Sequence, residues 1–302
     1  MSRLESPASL DIRSPEELRE AYPGGMYLYY QPDESRMRIH EILTATFPQH
    51  LIVVMPGVYS PWPADSGMQI GKTLYSDGSA SSLLYKALSL ETSLTPEDIY
   101  SLLPVRKSPN IEGGHVVPIP GSNSVFYGGL WDMFATSTDV FAKEGMESRY
   151  VSGVASGLYR LKCGIVSQDM SRKWVEKLAR DWVFGTKTTQ HLDLVFSGVG
   201  TDLFLDKPLL DYTRQINMRN DPFLDTVMPF PHECTLLGGL NIQYVWSGEQ
   251  CVALVRSFDA IGPLAHKLLA AGYRIVELGD DQVRDNGGVK CRSLVVRWRD
   301  VD

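Results

Sequence analysis

Cysteine is scarce in this sequence, and its spacing shows no pairing pattern. The 302 residues hold four cysteines, Cys163, Cys234, Cys251 and Cys291, with no CxxC pair and no histidine at zinc-ligand spacing. This scarcity argues against a disulfide framework and against a structural metal site, and it favours a reducing, cytoplasmic environment. Because a cysteine in such a protein is most often an inert buried residue, local context has to decide the role of each one.

Other signatures are missing as well. No apolar run approaches the roughly 18 residues of a membrane span, and the polar segment 1–20 has no secretory signal pattern. A GxxxxGK(S/T) phosphate loop, a zinc-binding HExxH and a GxSxG nucleophile motif are absent. The net charge of −7 comes without a basic patch. We therefore expect no nucleic-acid or membrane partner, and we leave a homo-oligomer open.

The composition is that of a globular protein with a substantial core, since 43% of the residues are apolar and 22% are charged. No low-complexity linker divides the chain, so we expect a flexible N-terminal lead-in over 1–21 and a single domain over 22–302. A strand–turn–strand pattern recurs, with β-branched and aromatic residues on both sides of a short Gly or Asn turn. The predicted hairpins span 112–127, 191–205 and 241–255.

The C-terminal part of the chain is the most regular. After the third hairpin the sequence predicts a helix over 261–271, a buried strand over 273–278 and, behind a Gly-rich loop, a last strand over 289–298. Helices are also predicted at 81–90 and 172–182. Units of this size cannot bury their own apolar faces, so their repetition favours a radially repeated architecture.

Three motifs follow one another along the chain. They are Ile111-Glu112-Gly113-Gly114, His191-Leu192-Asp193-Leu194-Val195-Phe196 and Gly287-Gly288-Val289-Lys290-Cys291-Arg292-Ser293-Leu294. In this order they resemble the motifs of the pentein superfamily of guanidino-group-modifying enzymes, which includes arginine deiminases, dimethylargininases, agmatine deiminases and amidinotransferases. The resemblance implies an α/β fold, namely a five-bladed pseudo-symmetric α/β-propeller of ββαβ units. The segment 241–298 matches one whole unit.

Cys291 is the candidate nucleophile. A guanidinium carbon is a poor electrophile because its charge is delocalised over its nitrogens, so attack on it needs a strong nucleophile such as a thiolate. A neighbouring cation, or the bound guanidinium itself, would favour that thiolate. Gly287 and Gly288 allow the backbone to approach a substrate closely, and a strand that starts at Cys291 would fix the thiol. The alternative role is a buried, inert strand cysteine.

His191 is the candidate acid–base partner of the thiol. Imidazole can protonate a leaving nitrogen and then deprotonate the second nucleophile near neutral pH. Glu112 would orient His191, as a third group does in other nucleophile–base sites. On a strand, Asp193 would share a face with His191, where it could bind the guanidinium nitrogens in a bidentate pairing.

The resemblance also implies a carboxylate near the first repeat unit. Asp65 is preferred over Asp132 because it precedes the Glu-Gly-Gly hairpin, although Ala64 stands where relatives have arginine. The neighbours of the cysteine depart from the family pattern too, since Lys290 and Arg292 flank it. These differences affect the choice of substrate more than the thiol chemistry.

The expected function follows from these motifs together. The resemblance implies a cysteine-dependent enzyme, with no metal or organic cofactor, that acts on a small guanidino molecule such as arginine through a covalent amidino-thioether. We expect water to resolve that intermediate, as in a hydrolase of the deiminase or dihydrolase type. Two alternatives stay open: an amidinotransferase that passes the amidino group to an amine, and a non-catalytic pentein-fold protein that binds a ligand.

Overall fold

The computed structural model describes nine stretches of the chain, and their contacts divide it into two compact units. The described residues are 11–31, 34–55, 63–76, 78–107, 113–127, 138–150, 192–216, 222–279 and 288–299. The first unit comprises Met1–Ile111, Ser247–Glu249 and Arg292–Asp302, and the second comprises Glu112–Trp246 and Gln250–Cys291. The prediction of one domain over 22–302 stays a prediction. Within the described stretches, no helix has the length and apolarity needed to cross a membrane.

The described residues of the first unit form two three-stranded sheets and four helices. Its strands are β1 (Gly25–Tyr30), β2 (His50–Met55), β3 (Met68–Ile70), β4 (Thr73–Ser76), β5 (Val105–Lys107) and β15 (Ser293–Val296). Its helices are α1 (Pro15–Ala21), α2 (Arg36–Thr46), α3 (Ser79–Glu91) and α4 (Pro96–Leu102). The sheets have the orders β15-β1-β2 and β3-β4-β5.

In the second unit, the part of the chain that the structure describes forms three such sheets. Its strands are β6 (Val116–Pro118), β7 (Ser124–Tyr127), β8 (Glu147–Tyr150), β9 (Phe196–Val199), β10 (Asp202–Asp206), β11 (Val227–Phe230), β12 (Gln243–Trp246), β13 (Cys251–Val255) and β14 (Arg274–Glu277). Its helices are α5 (Thr138–Lys143), α6 (Lys207–Ile216), α7 (Phe223–Thr226), α8 (His232–Leu236), α9 (Phe258–Ile261) and α10 (Pro263–Ala270). The sheets have the orders β6-β7-β8, β11-β10-β9 and β12-β13-β14.

All five described sheets share one strand pattern. The middle strand runs antiparallel to one neighbour, with which it forms a hairpin in four of the sheets, and parallel to the other. A parallel pair needs a crossover connection, and helices supply it, as α3 and α4 do between β4 and β5. The structure is therefore a mixed α/β fold made of small sheets.

The last strand of the chain completes the first sheet of the first unit. β15 pairs antiparallel with β1, in a register that sets Met26 opposite Val296. Gly25, with a φ of 103°, starts β1 where a side chain would collide with the Val296 carbonyl. The expectation that 241–298 forms one whole unit is therefore wrong at its end, because β15 bonds to β1 and the third sheet of the second unit ends at β14.

Part of the expected lead-in over 1–21 is ordered. α1 begins after Ser14, whose side chain accepts the backbone N–H of Glu17 at 3.2 Å. Leu18 of this helix is fully buried in the apolar core of the first unit. That burial ties the helix to the fold, so the flexible part of the lead-in cannot extend through α1.

The hairpins predicted at 112–127 and 241–255 form, as β6–β7 and β12–β13, and the helix predicted at 81–90 is confirmed. The first strand of the 112–127 hairpin begins only at Val116, behind a 3-10 turn over Gly113–His115. The helix predicted over 261–271 is interrupted by Gly262, which has a φ of 46° and separates α9 from α10. The helix predicted at 172–182 lies outside the described residues. The second hairpin exists, but its first strand begins at Phe196 and not at 191.

Candidate functional site

Cys291 lies in a turn immediately before β15, and its side chain is 3% exposed. Its backbone N–H donates to the side-chain Oδ1 of Asn241 at 3.2 Å. The expectation that Cys291 starts a strand is therefore wrong, because this N–H bonds to a side chain and the strand ladder begins at Ser293. The thiol is therefore positioned by a turn that the Asn241 side chain stabilises.

Asn241 is the residue that holds this turn. It is fully buried, and its Oδ1 also accepts the backbone N–H of Lys290 at 2.8 Å. Its Nδ2 donates towards the Cys291 Sγ at 3.3 Å and towards the Asp193 carbonyl at 3.4 Å. The Asn241 backbone is itself set by Gly238, whose φ is 77° and whose carbonyl accepts the Asn241 N–H at 3.1 Å. One amide thus joins the turn that carries the thiol to the segment that carries Asp193.

Gly288 makes room for that amide. A Cβ added at Gly288 would lie 2.5 Å from the Asn241 Oδ1 and 2.9 Å from its Cγ. Real Cβ atoms do not approach a neighbour this closely, so residue 288 has to lack a side chain. The sequence suggested that Gly288 lets the backbone approach a substrate, whereas the contact that requires glycine here is with Asn241. Gly287 lies outside the described residues.

Asp193 brings a carboxylate to the thiol. It lies in a 3-10 turn, Leu192–Leu194, that the Val195 N–H closes by donating to the Leu192 carbonyl at 3.1 Å. The expected strand at these residues is therefore wrong, and with it the argument that alternate residues share a face. The carboxylate is 1% exposed, and its Oδ2 lies 4.0 Å from the Cys291 Sγ. Within the described part of the chain, its Oδ1 is buried and has no hydrogen-bond partner.

Lys290 is the second charged group at this point. Its Nζ donates to the Asp193 Oδ2 at 2.9 Å, to the Gly113 carbonyl at 2.8 Å and to the Val116 carbonyl at 2.9 Å. All its donors are thereby used, and its side chain is only 11% exposed. The ammonium and the thiol contact the same carboxylate oxygen, which leaves Asp193 only Oδ1 for a ligand. The bidentate pairing expected from the sequence is therefore replaced by an arrangement with one open oxygen.

The charges of this cluster act on the thiol in opposite directions. A carboxylate next to a thiol opposes formation of the thiolate, and an ammonium favours it. The open Asp193 Oδ1 is a buried acceptor that a cationic N–H donor would satisfy. The cluster of Cys291, Asp193, Lys290 and Asn241 can therefore hold a cationic nitrogen group next to a nucleophilic sulfur. Among the described residues, no group of His, Cys, Asp or Glu side chains is placed to hold a metal ion.

The other predicted site residues lie wholly or partly outside the described residues. Glu112, His191 and Asp132 lie outside the described residues. The backbone of Asp65 lies in the 3-10 turn Pro63–Ser66 of the first unit, and its side chain is outside the described part. The structure therefore brings together Cys291 and Asp193 from the predicted set, and the roles of all six residues stay predictions.

Sequence reasoning missed two members of the cluster. Asn241 was assigned to the start of a strand, although an asparagine behind Gly238-Gly239 is a signal for a side chain that caps or ties a turn. Lys290 departs from the family pattern, and the sequence alone predicts no role for it. A lysine between the apolar Val289 and a candidate nucleophile is a signal too, since a buried lysine needs partners.

Sequence comparison gives no relative for this chain: no protein-family model matches it, and no curated protein matches it. Solved structures do match. The DDAH from Pseudomonas aeruginosa, a cysteine-to-serine mutant complexed with citrulline, has a TM-score of 0.50 at 13% identity, over 90% of this chain and 98% of that chain.

Two further structures are similar at the same level. The N-terminal domain of ArgZ, an arginine dihydrolase from the ornithine–ammonia cycle in cyanobacteria, was crystallised as a cysteine-to-serine mutant bound to its substrate. It has a TM-score of 0.52 at 13% identity, over 90% of this chain and 97% of that chain. AgrE, in a ternary complex with ornithine and NAD+, has a TM-score of 0.52 at 14% identity, over 92% of this chain but only 40% of that chain.

Identities this low establish a common fold and nothing finer. The small three-stranded sheets of mixed direction, joined by helices, are the architecture that this chain has in common with DDAH and with the N-terminal domain of ArgZ. The α/β fold that the three sequence motifs led us to expect is thus confirmed, as a mixed fold of small sheets that is similar to these solved structures.

Proposed function

We propose that this protein is a cysteine-dependent enzyme that hydrolyses a guanidino group of arginine or an arginine derivative. The observation that carries the proposal is the pair formed by the Cys291 thiol and the Asp193 carboxylate, 4.0 Å apart, with a buried Oδ1 that no described group satisfies. An unsatisfied buried acceptor costs about 1–3 kcal/mol. A guanidinium N–H would remove that cost and would place the guanidino carbon next to the sulfur.

The proposed reaction has two steps. In the first, the Cys291 thiolate forms a bond to the guanidino carbon, His191 donates a proton to the departing nitrogen, and that carbon–nitrogen bond breaks. An amidino-thioether and a free amine or ammonia result. In the second, His191 takes a proton from water, the water oxygen bonds to the same carbon, and the carbon–sulfur bond breaks. A urea-type product leaves, and the thiolate is restored.

The other predicted residues have supporting roles in this proposal. Glu112 orients His191, and Asp193 with Asp65, or Asp132 in its place, holds the cationic substrate. The fold in common with DDAH and ArgZ supports these assignments, since those proteins were crystallised with citrulline and with a dihydrolase substrate. We also propose a five-bladed propeller arrangement of the sheets, which is supported by the five described sheets of one pattern. A cytoplasmic location is a further proposal, supported by the scarce cysteines.

A substrate panel tests the proposal. The purified protein is incubated with arginine, methylated arginines and agmatine, each with and without glycine or ornithine, and the products are separated by chromatography with mass detection. We expect a urea-type product that forms without any added amine. A new guanidino compound that appears only with glycine or ornithine would identify an amidinotransferase. Binding of a guanidine without any product would leave a non-catalytic pentein-fold protein.

A further inference from the structure

Lys290 is an ammonium group built into the candidate site next to the nucleophile. Its three contacts, with the Asp193 carboxylate and with the Gly113 and Val116 carbonyls, fix it in one position. The carboxylate is 1% exposed and the lysine side chain 11%, so water screens their interaction little. A surface ion pair would contribute little, but this pair is buried against the thiol and acts on it at short range.

The thiol would be hard to ionise without this lysine. A thiolate at Cys291 would face the negative Asp193 Oδ2 at 4.0 Å inside a buried site, where like charges repel strongly. The Asn241 Nδ2, which donates towards Sγ at 3.3 Å, is neutral and offsets only part of that repulsion. A cation on the same carboxylate oxygen offsets most of the negative charge that Asp193 presents to the sulfur.

We propose that Lys290 is a positioning residue that binds Asp193 through Oδ2 and offsets its charge, so that a thiolate can form at Cys291 while Oδ1 stays open for the substrate. The inference rests on the proposed function, in which a Cys291 thiolate is the nucleophile. It adds that the activating cation belongs to the protein, so the thiolate forms before any cationic substrate arrives.

Among the described residues, Cys291 meets groups from three segments. Asp193 belongs to the 3-10 turn before β9, Lys290 to the turn of the cysteine itself, and the neutral Asn241 to the loop before β12. His191 and Glu112, which the proposed function also assigns to this site, lie outside the described residues. The test therefore compares variants at Lys290 and Asp193 while those two groups stay constant.

The test is a pH titration of the Cys291 thiolate by its ultraviolet absorbance, in the full-length protein without substrate. Each protein is measured against its own Cys291→Ala counterpart, which removes the signals of the other cysteines and the tyrosines. We expect Lys290→Gln to raise the midpoint by about 1 to 2 pH units. Lys290→Arg keeps the positive charge and should shift the midpoint much less. In Asp193→Asn/Lys290→Gln both charges are gone, so the midpoint should return towards that of the wild type.

Lys267→Gln is the matched control. This lysine pairs with Asp202 at 3.0 Å on the exposed surface of the same unit, and its loss should leave the midpoint unchanged. If Lys290→Gln does not fold, as shown by thermal unfolding, Asp193→Asn alone replaces it and should lower the midpoint. If Lys290 had only a structural role, the titration midpoint would not return towards the wild-type value in the double variant.

Two outcomes overturn the inference: a midpoint that Lys290→Gln leaves where it is, or an equal shift in Lys290→Gln and Lys290→Arg. The titration needs no substrate, so its result is independent of the proposed reaction. A protein that fails the substrate panel can still show the predicted shifts, and an active guanidino hydrolase can still lack them.

Discussion

Asn241 contacts Cys291 with both ends of its side-chain amide: Oδ1 accepts the Cys291 backbone N–H at 3.2 Å, and Nδ2 lies 3.3 Å from the Cys291 sulfur. The same side chain therefore fixes the backbone of the candidate nucleophile and solvates its sulfur. An amide suits both tasks because it carries an acceptor and donors on one rigid group. A carboxylate in this position would repel a thiolate, and an apolar residue would leave two backbone N–H groups without an acceptor.

Replacement of Asn241 by alanine should destabilise the protein. The backbone N–H groups of Lys290 and Cys291 would lose their shared acceptor in a buried site. Each N–H group that is left unpaired should cost about 1–3 kcal/mol of stability. Urea unfolding followed by circular dichroism measures the loss. Asn123→Ala is the matched control, since its exposed side chain donates to the Gly145 carbonyl at 2.6 Å and should cost well under half as much. Equal losses in the two variants would contradict the role given to Asn241.

Replacement of Gly288 by alanine should push Asn241 away from the turn. The new Cβ would lie 2.5 Å from Oδ1 and 2.8 Å from the Asn241 Cβ, so the overpacking should cost about 1–3 kcal/mol. The effect should depend on the partner, and a double-mutant cycle with Asn241→Gly measures that coupling. In the Asn241→Gly background the clashing side chain is gone, and Gly288→Ala should cost much less. If the stability losses of Gly288→Ala and Asn241→Gly simply add up in the double variant, the clash with Asn241 does not cause the loss in Gly288→Ala.

Local patterns in the sequence predicted the hairpins well. Short turns with Gly121 and Gly248, whose φ values are 77° and 100°, stand between β-branched and aromatic runs, and both hairpins form there. The strand predicted from 191 failed at its start because the alternating pattern His-Leu-Asp-Leu also fits a 3-10 turn. The hydrogen bond from the Val195 N–H to the Leu192 carbonyl distinguishes the 3-10 turn from a strand, and the pattern of hydrophobicity does not predict it.

The site was less predictable because its contacts join distant parts of the chain. Asn241 and Cys291 are separated by 50 positions, and Lys290 and Gly113 by 177. Motif order suggested that Asp193 and Cys291 meet, and the structure places them together. No local signal showed that β15 would pair with β1, since strand partners depend on packing of the whole fold and not on the strand's own residues.

Stability should fall as the pH is lowered, because of His50 in β2. This side chain is 6% exposed, and burial, together with the nearby charge of Arg297, lowers its pKa from 6.5 to about 4. The unfolded chain therefore takes up a proton at a higher pH than the folded protein does. The contribution of His50 is fully present above about pH 6.5 and is lost progressively down to about pH 4. Between about pH 7 and pH 5 the loss should be about 2 kcal/mol.

Urea unfolding at several pH values measures this dependence. His50→Gln should flatten the slope, whatever its effect on the absolute stability, because glutamine does not titrate. His266→Gln is the control for the histidine-to-glutamine substitution itself, since His266 is exposed on α10. A slope that His50→Gln does not change would show that other groups cause the acid sensitivity.

Replacement of Cys291 by alanine should abolish both turnover and the covalent intermediate. Without the sulfur no amidino-thioether can form, so we expect the rate to fall by about 10⁴-fold or more. The wild type is mixed with substrate, quenched in acid and digested, and mass spectrometry then locates an added amidino group on the peptide that carries residue 291. Cys251→Ser is the control, because Cys251 lies at the start of β13, outside the cluster of Asn241, Asp193 and Lys290, and should keep both turnover and adduct. Turnover in Cys291→Ala, or an adduct on another cysteine, would mean that a different group attacks the guanidino carbon.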